Sequence, residues 1–170
     1  DQAESALYGI QQTLKNKISE EKQDKIHYIV SSVRDQKRMS SLFNKYRPQV
    51  VFHAAAYKHV PLMEKFPYEA INTNIYGTKI IADLANEFEA EKFVMVSTDK
   101  AVNPTNVMGA TKRVAEIYVN CISRISKTNY IVTRFGNVLG SNGSVIPLFK
   151  RQLDYGGPLT VTHPDITRFF

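Results

Sequence analysis

The sequence predicts an α/β fold: a doubly wound parallel sheet with helices on both faces, in one domain over residues 1–170. Three observations predict it. Segments with a helical apolar period alternate with short runs rich in Ile, Val, Phe and Tyr. The run Phe93-Val94-Met95-Val96 is apolar throughout, as a strand buried on both faces is. Helix-length segments separate the strands, which calls for parallel βαβ units with right-handed crossovers.

The elements follow in order. Residues 3–17 read as a helix with Ala6, Leu7, Ile10 and Leu14 on one face, and residues 26–33 as a strand. A helix is expected over 35–46 and a short strand over 49–53, after Pro48. Residues 67–88 look helical, 92–98 form the buried strand, and 106–126 form a long helix. A strand over 130–135, a helix over 145–155 and a short strand over 159–162 complete the pattern. The Gly/Asn/Ser cluster at 136–144 is a loop inside the domain, and residues from about 137 onward belong to its substrate-binding part.

Composition narrows the function. The formal charge of +6 comes from scattered Lys and Arg, with no dense basic tract, which argues against nucleic acid and is compatible with an anionic ligand. Cys121 is the only cysteine, so an internal disulfide is impossible and a reducing compartment is expected. The four histidines show no metal-ligand spacing, and no metal is expected. No apolar run is long enough for a membrane helix.

A dinucleotide-binding sheet ordinarily opens with a strand, a glycine-rich turn and a helix. This sequence has no G-x-G-x-x-G, and Asp1 stands directly before a helix. Asp1 fits the acid that binds the adenosine ribose hydroxyls at the end of a second strand. The expectation is that the first strand, the glycine loop and the first helix are missing, and that these 170 residues alone bind NAD weakly or not at all.

In the helix from Asn106, a wheel at about 100° per residue places Val107, Ala110, Val114, Ile117, Tyr118, Cys121, Ile122 and Ile125 on one apolar stripe. Met108 and Lys112 fall roughly 120–160° from its centre, one turn apart. Thr98 closes the preceding strand, and ligands of open α/β sheets bind beyond such strand ends. Thr98, Asp99, Lys100, Met108 and Lys112 are therefore expected to line one pocket. A solvated Asp99-Lys100 turn and a surface Met and Lys are the alternative.

The run from Ser97 through Asp99-Lys100 and Asn103-Pro104 to Met108-Gly109-Ala110-Thr111-Lys112 resembles the signature of bacterial UDP-N-acetylglucosamine 4,6-dehydratases of polysaccharide biosynthesis. These belong to the extended short-chain dehydrogenase/reductases, whose Tyr-x-x-x-Lys is here Met108-x-x-x-Lys112. The resemblance extends to Phe52-His53-Ala54-Ala55-Ala56-Tyr57-Lys58-His59, to Asn72-Thr73-Asn74, to Arg134-Phe135-Gly136-Asn137 and to Thr162-His163-Pro164-Asp165.

The resemblance implies a Rossmann-like fold, NAD as cofactor and a UDP-sugar as substrate. It implies that Lys112 binds the nicotinamide ribose and stabilises a developing alkoxide, that Thr98 bonds the C4 oxygen, and that Asp99 and Lys100 divide the acid/base work. Met108, having no ionisable group, resembles the branch that retains the C5 configuration.

Asp1, Asp35, Ala54, Ala55, Ala56 and Asn74 are implied on the cofactor side. For Asp35 a helix N-cap, for the alanines packing, and for Asn74 a structural role stand as alternatives. Lys58, His59, Arg134, Asn137, Ser144 and Arg168 are implied on the substrate side. Arg134 is alternatively a salt-bridge partner, and His59 a surface histidine. A homo-oligomer, a cytoplasmic location and a longer parent anchored at the cytoplasmic face of the inner membrane are further expectations. A nucleotide-sugar 4-epimerase or reductase, or a non-catalytic nucleotide-binding fragment, are the competing readings.

Overall fold

The computed structural model describes residues 1–140 and 145–161. Ser144 and Arg168, both expected at the substrate, lie outside the described residues.

The fold is Rossmann-like α/β. Three parallel strands, β1 (Val50–His53), β2 (Lys92–Thr98) and β3 (Asn129–Phe135), pair in that order. The register sets His53 beside Met95 and Ser97 beside Arg134. Helices α1 (Glu4–Lys15), α2 (Glu20–Gln23) and α3 (Gln36–Tyr46) precede the sheet. Between β1 and β2 run α4 (Val60–Lys65), α5 (Pro67–Ala70), a π-helical segment (Ile71–Gly77) and α6 (Thr78–Glu87). A 3₁₀ turn (Asp99–Ala101) follows β2; α7 (Val107–Ser123) leads to β3, and α8 (Val145–Asp154) follows it.

The core lies on one face of the sheet. Phe93 and Met95 of β2 pack against Ile81, Leu84 and Ala85 of α6, Ala115 and Val119 of α7, and Met39 and Phe43 of α3. Each fully buried side chain of this size contributes about 1.5–3 kcal/mol. On the opposite face Phe52 is 75% exposed.

Residues 26–33, expected as a strand, run extended but join no ladder. Asp1 supplies their inter-segment backbone bonds, donating its amine to the Ile29 carbonyl and accepting from the Ser31 N–H. A strand needs a neighbour along its length. Among the described residues the neighbouring space is instead a cavity of about 630 Å³, bounded by His27, Ile29 and Ser31 on one side and Val51–Ala56 on the other. Residues 159–161 likewise form no strand; the Thr160 N–H and hydroxyl bond the Gln152 side chain instead.

The long helix is turned away from its expected orientation. Val114, Ile117, Cys121 and Ile125 face outward, with Ile117 49% exposed. Met108, Thr111, Lys112, Ala115, Glu116 and Val119 face inward. Counting apolar residues alone misplaced the face, because it set Lys112 away from the packing side and gave Glu116 no place on it. Lys112 bonds the carbonyl of half-buried Val96 and Glu116 the Arg134 guanidinium, and Gly109 lets the helix backbone come close to the Lys100 carbonyl.

Residues 67–88 are helical but broken by the π segment, and α4 was not anticipated. No described helix is long and apolar enough to cross a membrane.

Candidate active site

The carboxyl end of β2 delivers Thr98 into the 3₁₀ turn. Thr98 Oγ1 accepts from the Lys100 N–H and donates to Asp99 Oδ1 at 2.8 Å. Lys100 Nζ donates to the same carboxylate oxygen at 3.0 Å. Three consecutive side chains thus form one hydrogen-bonded group at the strand end. Partial burial pushes the Asp99 carboxyl up, but Lys100 and Thr98 outweigh it and hold it below its ordinary value. Asp99 is therefore an anion here.

Helix α7 seats Lys112 behind this turn. Asn106 caps the helix by accepting from the Gly109 N–H, and Glu64 of α4 accepts from the Val107 N–H at 2.7 Å. Lys112 is 4% exposed, and its Nζ donates to the Val96 carbonyl at 2.8 Å. Burial pulls its ammonium down to about 8, against the attraction of Glu116. His53 of β1, buried and bonded through Nε2 to Thr78 Oγ1, is pushed down to about 3 by burial and by the Lys112 charge. It is neutral. The Thr78 hydroxyl donates to the Asn74 carbonyl, so His53 is the donor of its pair.

Met108 was expected away from the packing face. It is 3% exposed and packs with Met63 and Ala70, beside Tyr57 and Val60. It bridges α4 and α7 rather than opening into the polar group.

Asn74 joins the two halves of the site. Its amide accepts from the Tyr57 N–H and donates to the Tyr57 carbonyl and to Thr111 Oγ1. It lies in the π segment, a geometry found frequently at functional sites. The loop carrying exposed Lys58 and His59 is thereby tied to the helix carrying Lys112.

Asp1, Ala54, Ala55 and Ala56 line the 630 Å³ cavity, as does Thr73, whose buried Oγ1 has no hydrogen-bond partner. None of Thr98, Asp99, Lys100, Met108 and Lys112 lines it; the polar group stands at the adjacent strand end. Asp35 is instead the N-cap of α3, accepting from the Arg38 N–H at 2.9 Å, and is absent from that cavity's lining. The capping role is what the structure shows of it.

Arg134 is engaged with Glu116 at 2.9 and 2.6 Å. The ion pair with Glu116 is thus present, and the Arg134 side chain is still 40% exposed. Asn137 follows β3 in the loop.

Glu116, Glu64 and Thr73 were missed. Glu116 stands four residues after Lys112, the spacing that puts two side chains on one helix face.

The chain is similar to known proteins in sequence and in structure. Over 170 residues, 98% of this chain, it is 52% identical to the capsular polysaccharide biosynthesis protein CapD of Staphylococcus aureus, covering 28% of that protein. It is 43% identical over 148 residues to a Rickettsia canadensis UDP-glucose 4-epimerase, 85% of this chain and 43% of that one. It is 41% identical over 149 residues to a Campylobacter jejuni UDP-N-acetylglucosamine 4,6-dehydratase (inverting), 85% of this chain and 44% of that one. Among solved structures, Pen from Bacillus thuringiensis superposes with a TM-score of 0.88 at 35% identity, over 99% of this chain and 52% of Pen.

The chain thus spans between about a quarter and a half of the length of these proteins. A family model described as polysaccharide biosynthesis protein matches residues 1–170, and the chain belongs to that family.

Proposed function

We propose that this chain carries the elimination machinery of a nucleotide-sugar 4,6-dehydratase acting on UDP-N-acetylglucosamine. The observation that carries the reading is the Thr98–Asp99–Lys100 group at the end of β2, closed by contacts of 2.8 and 3.0 Å. Loss of water across two adjacent carbons needs one group to take a proton and another to give one. A carboxylate and an amine held together meet that need.

NAD, when bound, supplies the acceptor and later the donor of the hydride. The residues present fit its ribose side. Asp1 offers a carboxylate for ribose hydroxyls, and Ala54–Ala56 leave space at a strand end. Thr73 offers an unused buried hydroxyl in the same cavity. Lys112, held at the Val96 carbonyl of β2, would hold the nicotinamide ribose.

The protein's own steps concern protons. The C4 hydroxyl proton passes to Thr98 Oγ1 while the Thr98 proton moves to Asp99, which becomes neutral. The C4 ketone makes the C5 hydrogen acidic. Asp99 gives its proton to the departing C6 oxygen, which leaves as water. Lys100, acting as the free amine, accepts the C5 proton, and once the hydride has returned to C6 it gives that proton back to C5 on the same face. Met108, packed and unionisable, takes no proton. The reading keeps the C5 configuration, unlike the relative named as inverting.

Lys58, His59 and Asn137 would face the sugar nucleotide. The same reading puts the reaction in the cytoplasm, with a longer parent at the membrane face.

A 4-epimerase is the second reading, favoured by the Rickettsia relative. Product analysis by NMR after incubation of the intact protein with UDP-N-acetylglucosamine and NAD separates the two. A 4-keto-6-deoxy sugar supports the dehydratase, and a C4 epimer without loss of water rejects it.

A further inference from the structure

Glu116 has no part in the reaction above, yet it is fully buried at 0% exposure. A carboxylate is almost never placed so without partners. Arg134 of β3 grips it twice, Nε to Oε1 at 2.9 Å and Nη2 to Oε2 at 2.6 Å. Arg113 adds Nη1 at 3.2 Å. Burial pushes the carboxyl up, but Arg134, Ser97 and Arg113 together outweigh it and keep Glu116 ionised.

Glu116 lies one helical turn beyond Lys112 on the same face of α7. Lys112 is itself buried, and its Nζ donates to the Val96 carbonyl. Three cations, Lys112, Arg113 and Arg134, therefore surround one carboxylate. Of the other acids on elements packed against α7, Glu87 at the end of α6 is exposed and the following four are engaged elsewhere. Asp99 pairs with Lys100, and Asp83 of α6 with Lys79 and Tyr118. Glu64 of α4 holds the Val107 N–H, and Glu69 of α5 pairs with Arg34. His53 of β1 is neutral. The π segment bears Tyr76 alone.

We propose that Glu116 is a positioning residue: it is the counter-ion that keeps the buried Lys112 charged at the end of β2, and the two arginines fix where that counter-charge sits. The proposal rests on reading Lys112 as the cation of the site. The arrangement joins a structural task to a chemical one. The same carboxylate that pins α7 to β3 through Arg134 supplies Lys112 with its negative neighbour.

The test is a pH titration of the Lys112 13Cε resonance in the intact protein, assigned with Lys112→Arg and run without substrate or NAD. The unaltered protein titrates near 8. Glu116→Gln lowers the midpoint by about one pH unit, because three cations then lack their counter-ion. Arg134→Met raises it, because Glu116 is then less neutralised.

Both variants loosen α7 from β3, so a purely structural role would leave the midpoint unchanged or move it the same way in both. Either of those results overturns the proposal. Where Glu116→Gln does not fold, Arg113→Met replaces it; its side chain is 45% exposed. A raised midpoint with both arginine variants supports the counter-ion role, and an unchanged one overturns it. Because no substrate is present, failure here leaves the dehydratase reading standing, and failure of that reading leaves this titration interpretable.

Discussion

Gly109 sits so close to the Lys100 carbonyl that a Cβ at position 109 would stand 2.2 Å from the oxygen. The contact fixes the distance between α7 and the turn that carries Asp99 and Lys100. Glycine is required here by space, not by backbone angle. Gly109→Ala forces the helix and turn apart, at an overpacking cost of about 1–3 kcal/mol. Chemical denaturation reads that cost. Turnover falls by about 10²-fold, because a displacement near 1 Å is enough to misalign reacting groups.

Lys112 makes stability depend on pH. Its ammonium titrates near 8 in the fold and near 10.5 when free. Between these values the unfolded chain binds a proton that the folded chain does not, so stability rises with pH across that window. The full difference corresponds to about 3 kcal/mol. Tyr130 acts in the opposite sense above pH 10, since burial holds its hydroxyl up to about 12. Urea unfolding from pH 7.5 to 10 shows the rise in the unaltered protein, and Lys112→Met removes it.

Asp99 and Lys100 divide the elimination. Asp99→Asn removes the group that receives the proton from Thr98, and dehydration falls by about 10²–10⁴-fold. Lys100→Met falls comparably. Neither side chain is buried, so melting temperatures of both variants stay near that of the parent. Loss of activity accompanied by a large loss of stability would mean that the pair is structural.

Asn74 ties the Lys58–His59 loop to α7. Asn74→Ala leaves the Tyr57 backbone groups and the Thr111 hydroxyl without their partner. Destabilisation of about 1–3 kcal/mol follows, together with a rise in KM as the loop loses its anchor. Calorimetry and steady-state kinetics measure the two effects separately.

The strands and most helices were legible because their signals are local. Apolar runs at 50–53 and 92–98, the Asp35 and Asn106 caps, and Pro67 near the start of α5 fix elements without distant help. The contiguous Thr98-Asp99-Lys100 group was legible for the same reason. Residues 26–33 have the composition of a strand, but composition cannot supply the neighbour that a ladder needs.

The face of α7 was misread because Lys112 and Glu116 find their partners, Val96 and Arg134, on two different strands. A helical wheel cannot see a distant carbonyl or guanidinium. Met108 was misplaced by the same error. Arg134 could be read either way from sequence, since the carboxylate that occupies it lies 18 residues before it.

The central claim is that hydrogen leaves C4 and returns at C6 of the same sugar while water is lost. The most direct measurement supplies the intact protein with NAD and UDP-N-acetylglucosamine deuterated at C4, and follows the label by NMR. The account predicts a 4-keto-6-deoxy product with deuterium in its C6 methyl group. Deuterium remaining at C4 of an epimerised sugar, with no methyl formed, would contradict it.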